Sequence, residues 1–170
     1  MNAAPVGLST ARAARAEPII RIPLLGLGVR VRIAASPGAN LPSVVETTHA
    51  AGLGPPLHRR AQGEIFEIVT GRFLFEVDGR RFIARRGDLV SVPGGAARAF
   101  VNVTGTGARQ KVITQPGIDA AAFFGELADA LAGESRARPA RVRAFGERWG
   151  IVYLGAPLDA GDGLWQGGEP

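Results

Sequence analysis

The sequence predicts an all-β domain, an antiparallel sandwich or barrel, followed by a helical extension. Three observations carry this. From Ile19 to about Pro116, short stretches rich in apolar and β-branched residues alternate, in several places, at the period of two that a half-buried strand requires. Glycine, proline and an Asp78–Gly79 pair punctuate those stretches at short, similar intervals. Beyond Asp119 the apolar spacing changes to that of a helix face.

Each element has its own signal. Residues 1–18, MNAAPVGLSTARAARAEP, have no acid before Glu17 and no apolar core, so a disordered tail is expected and a secretory signal is not. IIRIPLL and GVRVRIA are apolar-rich strands, and SVVETTH is β-branched. EIFEIVTG alternates, as does GRFLFEVDGRRFIA, which folds back at Asp78–Gly79. GDLVSVPGG, RAFVNVTG and ARQKVITQPG complete the set. Asp119 is the expected N-cap of a helix over residues 120–132, with Phe123, Phe124, Leu127 and Leu131 on one face and Gly133 as its stop. A second helix, about residues 139–148, puts Val142, Phe145 and Trp149 on one side. GIVYLGAPL is expected to be extended and to pack back, and Trp165 is either a packing plug or an exposed tail residue. The expected division is a tail to residue 18, a barrel over 19–116 and an extension over 117–170 packed on the barrel.

Composition removes several function classes. The absence of cysteine excludes disulfides, thiolate zinc sites and a cysteine nucleophile. The longest apolar run, IIRIPLLGLGV, is broken by Arg21 and Pro23, so no membrane partner is expected. The net charge is +5 and the sequence pI about 11.1, almost all from arginine, with Lys111 the only lysine. Those arginines are scattered and form no stripe with aromatic residues, so no nucleic-acid partner is expected either. A cytoplasmic location is expected.

Two spaced motifs stand inside the strand-rich region. Gly52, His58, Arg60, Glu64 and Gly71 give G-x5-H-x-R-x3-E-x6-G, and Gly87, Pro93, Gly95, Arg98 and Asn102 give G-x5-P-x-G-x2-R-x3-N. In order and spacing they resemble the paired motifs of the cupin superfamily, and eight of the ten positions carry that family's residue. The surrounding sequence is most similar to the small quercetin-dioxygenase-like cupins. The resemblance implies a jelly-roll barrel with its site inside, and a homodimer.

In metal-binding cupins these motifs supply three histidines and one glutamate. Here only His58 and Glu64 match ligand positions, and Arg60 and Arg98 stand at the other two. A guanidinium has no lone pair for a metal and repels a cation. No cofactor is therefore expected. If a divalent metal such as iron, manganese, nickel, copper or zinc bound, His58 and Glu64 would be its ligands, with Gln62 a weak oxygen donor. His49 matches no ligand position.

The same exchange builds an anion site, because arginine grips carboxylate or phosphate through a planar fork. Strand periodicity puts His58 with Arg60, Glu64 with Phe66, and Arg98 with Phe100, each pair on one face. Either Glu64 is the anion and fills the former metal position as a buried ion network, or a small anionic metabolite is held by Arg60 and Arg98, with Gln62, Phe66 and Phe100 lining its pocket. In the second case His58 and Glu64 are the candidate acid–base pair of a metal-free isomerase, cyclase or lyase. The competing readings are a metal-dependent oxygenase and a non-catalytic ligand-binding cupin.

Overall fold

The computed structural model describes residues 17–36, 38 and 40–163. The expected tail, apart from Glu17 and Pro18, and Trp165 both lie outside the described residues. Alternation generates two antiparallel sheets. The first holds β1 (Ile20–Ile22), β2 (Leu27–Ile33), β3 (Ser43–His49), β5 (Gly63–Thr70), β8 (Leu89–Val92) and β10 (Ala108–Gln115), in the order β1-β2-β3-β10-β5-β8. The second holds β4 (Pro56–Arg59), β6 (Arg72–Val77), β7 (Arg80–Arg85), β9 (Arg98–Asn102) and β11 (Val152–Pro157), in the order β11-β4-β9-β6-β7. Two facing antiparallel sheets with sequence-distant neighbours form the expected jelly-roll barrel.

The barrel interior is where the period of two points. Val29, Val45, Phe66, Ile68, Phe73, Phe75, Val90 and Val112 form the main core, all nearly inaccessible. The predicted hairpin joins β6 to β7, and Asp78 and Gly79 both take positive φ, 45° and 78°, the geometry of a type I′ turn. The stretch IIRIPLL is only partly a strand. Pro23 has no amide hydrogen to offer a ladder, and the chain turns there through a 3₁₀ segment, Pro23–Leu25.

The extension is α1 (Ala120–Leu131), α2 (Arg138–Trp149) and the edge strand β11. Asp119 caps α1 by accepting from the Ala122 amide at 3.1 Å. Phe123, Ala130 and Phe145 form a separate cluster with Leu127, Trp149 and Ile151 around it. Phe124 contacts both this cluster and the main core, so the helices sit on the barrel rather than apart from it. No helix among the described residues is long and apolar enough to cross a membrane.

Candidate functional site

Glu64 is the second residue of β5 and is buried, Arg60 follows β4, and Arg98 opens β9. These three converge. Arg60 Nη1 lies 3.4 Å from Glu64 Oε1, and Arg98 Nε lies 3.5 Å from Glu64 Oε2. Their side chains are 7%, 2% and 9% exposed for Arg60, Arg98 and Glu64, so the group is a buried ion triad. Both distances exceed the roughly 2.7–2.9 Å of a tight charge-assisted hydrogen bond. The triad is loosely closed and carries one positive charge in excess.

The guanidiniums are held from behind. Arg98 Nη2 donates to the carbonyls of Gln62 at 2.8 Å and Pro93 at 3.3 Å. Arg60 Nε donates to Gln62 Oε1 at 3.2 Å, and its guanidinium carbon lies 5.1 Å from the centre of the Phe123 ring. Gln62 is thus a brace for both arginines and is not among the cavity-lining residues. Arg98 Nη1 is buried and has no acceptor among the described residues. Burial pulls the Arg98 guanidinium below its ordinary value, Glu64 opposes that, and Arg60 adds to it. The Glu64 charge therefore helps keep two buried cations in place.

His58 faces the same space. Its Nδ1–H donates to the Pro56 carbonyl at 2.8 Å, which leaves Nε2 as a lone-pair nitrogen. Its pKa lies below the ordinary value, chiefly because it is buried. The Pro56 bond and Glu64 oppose the shift, and Arg98 and Arg60 add to it. A cavity of about 150 Å³ connects these groups. Phe66, Phe100, Val45 and Val112 supply apolar wall, and Phe123, Phe124 and Phe145 of the extension roof it.

His49 also borders the cavity, with Nε2 2.8 Å from Thr47 Oγ1 and its ring edge-on to Phe73 and Phe100 at 5.3 Å. Asn102 serves architecture. It donates to the carbonyls of His49 and Thr106 and accepts from the Thr104 amide. Sequence reasoning missed Tyr153, which lines the cavity from β11. The one available signal was the expected return of GIVYLGAPL onto the barrel.

The donor set does not suit a divalent metal. Each Glu64 oxygen faces a guanidinium, Arg60 and Arg98 offer no lone pair, and of the four ligand positions His58 alone keeps an uncommitted lone-pair nitrogen. Among the described residues no group of three or more histidine, aspartate or glutamate side chains converges.

Comparison with known proteins bears on the fold. Residues 44–113 match the model of the cupin domain family. An RmlC-like cupin from Shewanella frigidimarina is similar at 19% identity and TM-score 0.57, covering 65% of this chain and 93% of that one. KdgF from a Halomonas species is similar at 16% identity and TM-score 0.55, covering 67% and 97%. The Cnp3 cupin domain of Schizosaccharomyces pombe is similar at 17% identity and TM-score 0.49, and this chain spans 64% of its length and matches over 52% of its own. No curated protein matches the sequence. At these identities the solved structures speak to fold alone. Motif order, sheet topology and the family match agree that residues 44–113 form a cupin domain.

Proposed function

We propose that the barrel binds a compact organic anion and acts on it by metal-free acid–base chemistry, of isomerase, cyclase or lyase type. The carrying observation is the ion triad: two guanidiniums share one carboxylate at long range, and Arg98 Nε and Nη1 are buried without a hydrogen-bond acceptor among the described residues. A ligand carboxylate would supply the missing anion. Its attraction is large because the triad is buried and the cavity walls are mostly apolar.

In this reading Glu64 is the fixed counter-ion that keeps both arginines in place, and proton transfer falls to His58. A neutral imidazole with a free Nε2 is a base without further activation. The positive charge of the triad would stabilise negative charge developing on the bound molecule. The cavity volume sets the size of that molecule. About 150 Å³ is what a benzene-sized guest needs, whereas a flavonol is several times larger.

The test is calorimetric titration with pentanoate, a compact monocarboxylate. One site per chain is expected. Arg60→Gln makes the triad neutral and should weaken binding at least 10-fold, while His58→Gln should leave it within about 3-fold. Equal binding by wild-type protein and Arg60→Gln, or none by either, refutes the anion site.

A further inference from the structure

The strand register of the second sheet aligns three polar residues. Tyr153 on β11 lies directly opposite His58 on β4, and His58 lies directly opposite Arg98 on β9. All three residues border the cavity, and their register places them in one row across three adjacent strands. Directly opposed side chains start about 5 Å apart at their β-carbons, and the ends of the row are two strand spacings apart, about 10 Å.

Each member of the row has an uncommitted polar group. Arg98 Nη1 lacks an acceptor, His58 uses only Nδ1, and the Tyr153 hydroxyl makes no hydrogen bond among the described residues. Partial burial pushes the Tyr153 phenol upward, so it stays a donor across the neutral range. The ring is held on its far side by α2. A β-carbon added at Gly146 would stand 3.1 Å from Tyr153 Cε2 and 3.0 Å from the Ile151 carbonyl oxygen. The extension therefore sets where the phenol sits.

We propose that Tyr153 is a catalytic residue of the barrel site, donating its hydroxyl hydrogen to a carbonyl oxygen on the ligand while Arg98 and Arg60 hold the ligand's carboxylate. This rests on the anion reading above and deepens it. The substrate class becomes a short keto acid of about six to eight heavy atoms, the number that fits a cavity of this volume. The step it permits is enolisation. The C–H bond beside the carbonyl breaks, its proton moves to His58 Nε2, and its electron pair forms the C=C bond. The carbonyl π pair moves to oxygen, where the Tyr153 hydrogen bond meets it.

The experiment titrates two matched probes, pentanoate and 4-oxopentanoate, which differ by one carbonyl oxygen. Wild-type protein should bind the keto acid at least 5-fold tighter. Tyr153→Phe keeps the ring on Gly146 and should bind both acids equally, with pentanoate affinity unchanged. Gly146→Ala crowds the ring and should reduce the preference without removing pentanoate binding. Solvent deuterium exchange at the carbons beside the carbonyl, followed by proton NMR, should slow at least 10-fold in Tyr153→Phe. A wild-type protein without keto preference, or a preference and exchange rate unchanged in Tyr153→Phe, overturns the role of Tyr153 and leaves the anion site standing. Failure of wild-type protein to bind either acid overturns both readings.

Discussion

At the scale of single side chains, the two histidines have opposite duties although both border one cavity. His58 borders the cavity with Nε2 uncommitted, whereas His49 bonds Thr47 through Nε2 and packs in T-shaped contacts with two phenylalanine rings. Burial lowers the His49 pKa to about 4. The unfolded chain takes up that proton at pH 6.5, the ordinary value, and the folded chain only near pH 4. Stability is therefore complete above pH 6.5 and falls as pH drops toward 4, by about 3 kcal/mol from this residue. Urea midpoints measured across that window should drop steeply in wild-type protein. His49→Gln should be less stable at pH 7 but show a shallower fall, with a residual slope from His58. An identical slope in the variant would show that His49 does not control the acid limb. The convergence of Arg60, Glu64 and Arg98 was legible because strand periodicity fixes which side chains turn inward, and buried charges need partners. Tyr153 was not legible. It comes from an edge strand whose six residues are all exposed, so no alternation marks its inward side, and only register pairs it with His58.

At the scale of elements, the site depends on how closely the loop into β4 approaches β9. A β-carbon at Gly54 would sit 1.8 Å from the Phe100 carbonyl oxygen, a backbone atom that cannot swing away. His58 and Arg98 are the only directly paired residues between these two strands among the described residues, so a shift there acts on the row itself. Gly54→Ala should lower stability by about 1–3 kcal/mol, the usual range for overpacking. It should also weaken pentanoate binding, because the triad and His58 would separate. Stability and binding both unchanged would mean that the loop yields without moving β4. The helices were legible from their caps and apolar spacing, and their boundaries fall within a residue of expectation. Their use was not legible. The spacing of Phe123 showed a buried face, but nothing in it showed that the ring would cover Arg60.

At the scale of the whole molecule, the question is whether barrel and extension unfold as one. The sheet edges differ sharply in character. The β7 edge carries Arg80, Arg81 and Arg85, which discourage strand addition, whereas β11 has no charged residue and lies against β4 with α2 beside it. The extension shares Phe124 with the main core, lays Phe123 on Arg60, and adds β11 to the second sheet. These contacts tie the cavity roof to the ion triad, so loss of the helices would expose two cations and a carboxylate in an apolar mouth. One cooperative transition is expected. In a Trp165→Phe background, the fluorescence of Trp149 reports the helix cluster and far-ultraviolet dichroism is dominated by the sheets and helices together. Their urea midpoints should coincide. Saturating pentanoate at about 100 times Kd should raise both midpoints equally, by the shift that corresponds to about 2.7 kcal/mol of added stability, because the ligand binds only the closed assembly. A fluorescence transition that precedes the dichroism transition, with a ligand shift confined to the latter, would mean that the barrel holds the anion unaided. The roof would then be a separate folding unit, and the part assigned to Tyr153 would have to be borne by the barrel alone.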